Sequence, residues 1–297
     1  MSKQRILVFG ATGQVGGAAI EYLAQNGEAD LYGVTRSADR APLIEARGAK
    51  ARVIDIDDNQ SVHEAVQGID SLLLITGYTV EMLRQSIRVI DAAKAAGVKH
   101  VVHVGASGSP TAEVAHWDWH RMIEAYIERS GFTFVHLHPE SFLQNLTGFG
   151  WLQPGVLLNL IGDARWSWVD ASDVGAMAGA ALLQHDALLN RSVPMGYDAA
   201  SMSEIADRLR DQLGLELQLA DTSPDAFYEA AVSSGAEPTY MACVRDQLKL
   251  SRNGEIPDVD LTFDSTLFRE VTGHNPTTLH AFIEKEVPQL LATQNRN

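Results

Sequence analysis

The run Gly10-Ala-Thr-Gly13-Gln-Val-Gly16 separates an apolar stretch from an amphipathic one, and no other feature constrains the fold as strongly. Residues 6–9 read as a buried strand. Residues 14–26 read as a helix, with Val15, Ala18, Ala19, Tyr22 and Leu23 at helical spacing. Each glycine has a physical reason for its place. Gly10 permits a tight turn, Gly13 lets a pyrophosphate approach the backbone, and Gly16 lets the helix pack closely on the strand. The helix start offers free N–H groups and a partial positive charge to phosphates, and Thr12 and Gln14 can add side-chain hydrogen bonds. A strand, a glycine loop and a helix in that order predict a dinucleotide-binding unit. The competing reading is a turn without a ligand.

The pattern continues through the first half of the chain. Strand-length apolar runs at 31–35, 51–54, 71–75, 100–104 and 133–137 alternate with helical patterns at 39–47, 61–66, 80–96 and 111–129. The 61–66 helix is expected to be capped by Asn59 or Ser61. Such alternation implies parallel pairing and right-handed crossovers, hence an α/β fold with a Rossmann-type doubly wound sheet. A helix at 171–183 and a seventh strand at 192–195 are expected to return to it. Helical patterns at 201–213, 224–233, 238–250 and 277–291 predict a smaller, mostly helical C-terminal lobe. The expected division gives residues 1–150, joined by 165–197, to the nucleotide-binding part, and 151–164 with 198–297 to a substrate-side lobe.

The second strand discriminates between nucleotides. An NAD site carries an acid at this strand's end to hold the ribose 2′-hydroxyl. Here the sequence is Val34-Thr35-Arg36-Ser37. Arg36 suits a 2′-phosphate instead, and Arg40 follows one turn later. NADP(H) is therefore expected over NAD(H), against the alternative of a solvated surface arginine. Thr76-Gly77-Tyr78 follows the fourth strand, at the carboxyl edge where open α/β sheets bind ligands.

The GxxGxxG spacing resembles the short-chain dehydrogenase/reductase superfamily, whose classical members use Tyr-x-x-x-Lys for proton transfer. No tyrosine here has a lysine four residues on; Tyr126 is followed by Ser130 and Tyr78 by Met82. His116 and His120 stand in that region, one helical turn apart and in line with Ile123 and Ile127. If that stripe faces the sheet, both point at the cleft, and His120, titrating near the ordinary pH of about 6.5, could donate a proton or hold ribose hydroxyls. The pair could instead be merely buried and hydrogen-bonded. No metal is expected, because no third ligand lies close in sequence.

Taken together, several segments resemble the NmrA-like family of atypical short-chain reductases over about residues 4–175. They are GATGQVGG, the VTRS after the second strand, the DIDD after the third, VKHVVHVGASG, the stretch 116–131, HPESFLQNL and WSWVDASDVG. The family includes NAD(P)H-dependent quinone, azo-dye and triphenylmethane-dye reductases, plant benzylic-ether reductases and non-catalytic NADP sensors. The resemblance implies cofactor roles for Gly10, Thr12, Gly13, Gln14, Val15, Arg36, Asp55, Ile56, Thr76, Gly77, Pro139, Ser141 and Phe142. Asp55 is implied to bond the adenine amino group and Ile56 to pack on the ring. Substrate is expected between residues 76–80, 106–110 and 142–145 and the lobe, touching Tyr78, Ser107 and Asn145. Many relatives carry lysine where this chain has His120, and Leu-Arg-Pro where it has Leu137-His138-Pro139. The departures suit direct hydride transfer to a quinone or dye, which needs positioning more than a strong acid. A sensor of NADP(H) without turnover is the alternative.

The bulk properties narrow the partners. Among 297 residues the formal net charge is −15, which disfavours nucleic acid and anionic lipid. Cys243 is the single cysteine. No apolar run is long enough for a membrane span of about 20 residues, and the start lacks a signal-peptide pattern. The expectation is a cytoplasmic monomer or homodimer acting on a small molecule.

Overall fold

The computed structural model describes residues 3–109, 111–256 and 264–294. Pro110, one of the expected substrate-wall positions, lies outside the described residues, as does the chain end beyond 294. The first half runs β1 (Gln4–Val8), α1 (Gln14–Asn26), β2 (Ala29–Thr35), α2 (Ala41–Glu45), β3 (Lys50–Val53), α3 (Asn59–Ala65), β4 (Ser71–Ile75), α4 (Met82–Ala96), β5 (His100–Val104), α5 (Ala115–Arg129) and β6 (Thr133–Pro139). It continues β7 (Ser141–Phe142), α6 (Gln144–Gly148), β8 (Leu152–Gln153), β9 (Val156–Asn159), β10 (Arg165–Val169), α7 (Ala171–Leu182) and β11 (Arg191–Met195). Last come β12 (Asp198–Ser201), α8 (Met202–Leu213), β13 (Gln218–Asp221), α9 (Pro224–Ser233), α10 (Pro238–Arg252), α11 (Thr266–Thr272) and α12 (Leu279–Gln294).

Seven strands pair in the order β11-β6-β5-β4-β1-β2-β3, every pair parallel. This is the Rossmann-type doubly wound sheet, with its reversal between β1 and β4. Side-chain alternation divides the core in two. Ile6, Val8, Leu73, Val102 and Val135 face α1 and α7. Leu7, Phe9, Leu72, Leu74 and Val101 face the layer that holds Val62, Val89, Ile90, Ile123 and Ile127 of α3, α4 and α5.

Local chemistry adjusts the expected boundaries. The 39–47 helix becomes a 3-10 turn followed by α2, with Pro42 in the first turn of α2, where its missing N–H costs nothing. Asp58, rather than Asn59 or Ser61, caps α3, accepting from the Gln60 and Ser61 backbone N–H groups at 3.2 and 3.1 Å. α5 begins at Ala115 because Val114 is extended.

A third apolar cluster lies beyond the sheet's carboxyl edge. Leu143, Leu146, Trp151, Trp168, Ile205, Leu248, Phe282 and Ile283 pack together there. They join α6, α8, α10 and α12 to two three-stranded sheets, β12-β10-β7 and β13-β9-β8. These strands hold two to five residues each, too few to write a period-two pattern into the sequence. No helix of the described residues is long and apolar enough to cross a membrane.

Candidate functional site

The glycine loop leaves β1 where the strand order reverses. Gly10 has φ +74°, a left-handed conformation, and a β-carbon on it would lie 3.0 Å from Ile75 Cβ. A β-carbon on Gly16 would fall 2.3 Å from the Gly10 carbonyl oxygen, so only glycine lets α1 approach the loop this closely. Gly13 caps α1 with no side chain across the helix end. The first-turn N–H groups, at Gln14 and Val15, are thus left without intrahelical acceptors. A side chain would fill this cradle, and its donors fit a pyrophosphate.

The other expected cofactor residues lie along the same edge. Arg36 is exposed just past β2 and makes no ion pair among the described residues. Arg40 reaches back to donate to the Thr12 carbonyl at 3.4 Å. Asp55 is exposed past β3, its carboxylate accepting the Asp57 N–H at 2.9 Å, while Ile56 is half-buried. The neighbouring acids are committed elsewhere: Asp57 pairs with Arg84 at 3.1 Å, and Asp58 caps α3. Thr76 and Gly77 follow β4, with open space around Gly77.

A cleft of about 640 Å³ opens at the ends of β5 and β6. It gathers Tyr78, His116, His120, Pro139, Ser141, Phe142 and Asn145. Its far wall is Phe227, Tyr240, Met241 and Val244, from α9 and α10. Tyr78 meets Phe149 and Tyr240 edge-on, with ring centroids 6.0 and 5.5 Å apart. Asn145 donates to Ser141 Oγ at 3.3 Å. Ser107 lies apart from these residues, in an adjoining cleft of about 740 Å³; Trp117, Glu140, Trp166 and Gln247 line both spaces. The glycine-loop residues line neither.

The histidines behave differently from the expected near-neutral switch. Burial pushes His116 down to about 4. Burial, with His116 close by, pushes His120 down to about 4 as well. Both rings are therefore neutral at pH 7. His120 Nδ1 stands 3.3 Å from His103 Nε2, which fixes the orientation of the imidazole.

Glu140 escaped the sequence reading. It is half-buried, one oxygen accepts the Ser167 N–H at 3.3 Å, and the other has no hydrogen-bond partner among the described residues. Burial pushes its carboxyl up to about 7. The available signal was an acid directly after an apolar strand end, in Pro139-Glu140-Ser141.

Comparison with known proteins decides the family: the NmrA-like family matches residues 2–283. The chain belongs to the NmrA-like family. A relative named NAD(P)H azoreductase, from Xenophilus azovorans, is 27% identical over 81% of this chain and 90% of its own. Quinone oxidoreductase 2 of Escherichia coli is 28% identical over 92% of this chain and 96% of its own. The crystal structure of an NADPH-dependent quinone oxidoreductase from Escherichia coli, complexed with NADPH, superposes with a TM-score of 0.79. It is 26% identical and covers 94% of this chain and 98% of the other. This NmrA-like chain is an oxidoreductase.

Proposed function

We propose that the protein is an NADPH-dependent reductase that passes a hydride directly to a flat aromatic acceptor of the quinone or azo class. The observation that carries this reading is the aromatic-walled cleft at the same carboxyl edge of the sheet as the glycine cradle, in a chain without the Tyr/Lys pair. The names of the relatives support it.

Bound NADPH would supply the hydride. The cradle of Gly10, Thr12, Gly13, Gln14 and Val15 holds the pyrophosphate, and Arg36 with Arg40 reads the 2′-phosphate. Asp55 and Ile56 receive the adenine. Thr76, Gly77, Pro139, Ser141 and Phe142 line the nicotinamide end. Tyr78 and Asn145 orient the acceptor, whose ring lies between the aromatic walls of the cleft.

A reduced quinone or azo group must also gain a proton. His116 and His120, neutral at pH 7, serve to position the acceptor as hydrogen-bonding groups. Glu140, with its carboxyl near 7, is matched to neutral operation, half-loaded with a proton at the cleft.

The test is NADPH oxidation by the purified, tag-free chain with a panel of benzoquinones, naphthoquinones and azo dyes. The expected result is acceptor-dependent NADPH consumption, with kcat/KM for NADPH at least about tenfold above NADH. Tight NADPH binding with no turnover across the panel would sink the reading and leave the sensor.

A further inference from the structure

A second group of polar side chains lies under the cleft, between α5 and the last turns of β5 and β6, and the proposed reduction does not use it. The register of β5 and β6 sets His103 directly opposite His136. Period-two alternation puts His138 on that same face. From α5, Glu124 comes down among them, one turn after His120 and one turn before Glu128. His103 and His136 are fully buried, and Glu124 is nearly so.

The pairing is incomplete. His103 gives Nε2 to His120, which leaves Nδ1 with no hydrogen bond, 3.7 Å from Glu124 Oε1. Among the described residues His136 has no hydrogen bond at either ring nitrogen; Glu128 comes within 3.5 Å of Nε2. Only Glu124 is well held, accepting from His138 Nε2 at 2.8 Å. Buried polar atoms without partners are rare in folded proteins, and each calls for an explanation, an unseen ion among them.

The atoms left over form a ligand set. One coordinating atom each from His103, Glu124 and His136 lies within 4.8 Å of the other two. A tetrahedral zinc with bonds of about 2.0–2.2 Å spaces its ligand atoms roughly 3.4 Å apart. The His103–Glu124 separation is already close to that, and small side-chain rotations close the rest. At His103 and Glu124 the outer contacts follow the usual metal-site pattern, in which a ligating histidine gives its other nitrogen to a fixed partner and the carboxylate is itself hydrogen-bonded. Gly105 keeps the room: a β-carbon there would lie 2.6 Å from Glu124 Oε1.

We propose that His103, Glu124 and His136 bind one zinc-class divalent cation, which pins α5 to β5 and β6 beneath the cleft. Neutral imidazoles with one carboxylate select that class over calcium or magnesium, which prefer all-oxygen sites. The sequence pointed away from a metal because it offered only the His116/His120 pair; these three ligands come from three separate elements. Through His120, the ion would hold one wall of the cleft.

The test uses the full, tag-free chain stripped with chelator and titrated with Zn²⁺, then with Co²⁺ for its absorption spectrum. The expected result is one equivalent of Zn²⁺ per chain, a melting temperature that rises with Zn²⁺, and a four-coordinate Co²⁺ spectrum. His136→Gln and Glu124→Gln, checked for folding by circular dichroism, should abolish that uptake. His120→Gln should weaken it about 10- to 100-fold, and His63→Gln, on exposed α3, should leave it unchanged. Absence of stoichiometric uptake by the wild-type chain overturns the proposal. So does uptake that survives both ligand substitutions in folded protein.

Discussion

Arg36 stands just past β2 with its guanidinium uncommitted among the described residues, a few residues from Arg40 against the glycine loop. A charge-assisted hydrogen bond to a phosphate contributes about 1.5–3 kcal/mol. Arg36→Ala is therefore expected to weaken NADPH binding about 10- to 100-fold and to leave NADH binding nearly unchanged, as read by calorimetry with both nucleotides. Equal losses would show that Arg36 does not read the 2′-phosphate. Glu140 makes the second prediction at this scale. Its carboxyl is pushed up to about 7, so as a proton source its contribution to kcat falls as pH rises through 7. Glu140→Gln should lower kcat about 10²- to 10⁴-fold and remove that limb from the pH profile, while the KM for NADPH holds. The place of Arg36 just past β2 was legible because a strand end is local in sequence. Glu140 was not, because its role depends on burial by β10, a strand that begins 25 residues later. The His103–Glu124–His136 group was hidden for the same reason: no single stretch of chain contains it.

α1 and α7 touch through their smallest residues. A β-carbon on Gly175 would lie 2.5 Å from Ala18 Cβ and 2.7 Å from the Val15 carbonyl oxygen. Gly175→Ala should thus force the helices apart at a cost of about 1–3 kcal/mol. Because Val15 opens the helix that forms the cradle, nucleotide affinity should fall along with the melting temperature. Calorimetry with and without NADPH checks both, and a lowered melting temperature with unaltered affinity would confine the effect to stability. The helices and central strands of this half were readable, with α1, β4 and β5 matching their expected spans, as does α9 in the lobe. Long periodic elements carry their own signal. The short strands from β7 to β10, together with β12 and β13, do not: their pattern is cut off after a few residues and, the β8–β9 hairpin apart, their partners are distant. That is why the lobe expected to be mostly helical also holds the sheet β13-β9-β8 and one strand, β12, of the sheet β12-β10-β7.

Across the whole molecule, proton binding couples to folding through the buried imidazoles. In the metal-free protein His116, His120 and His136 are each held at about 4 by burial, against 6.5 ordinarily. Between those values the unfolded chain binds more protons, so stability falls as pH is lowered from about 6.5 to about 4. Glu140 and Asp173 act in the opposite sense. Their carboxyls are raised by burial to about 7 and about 6, so they favour the fold at low pH and lose that contribution as pH rises through those values. Three imidazoles outweigh two carboxyls, and the melting temperature in chelator is expected to drop between pH 7 and pH 5. Glu140→Gln removes an opposing contribution and should steepen the drop in a calorimetric pH series. The cleft itself is assembled from distant parts of the chain. The cradle and the arginines belong to the first 40 residues, while the far wall comes from α9 and α10, which Asp225 ties together through Lys249 at 2.7 Å and Arg245 at 3.8 Å. On the proposed reading, electron donor and electron acceptor are chosen by separate segments, and exchanging residues 224–252 between homologues is expected to reset the acceptor and spare the donor, as acceptor and NADPH kinetics of the chimera would show.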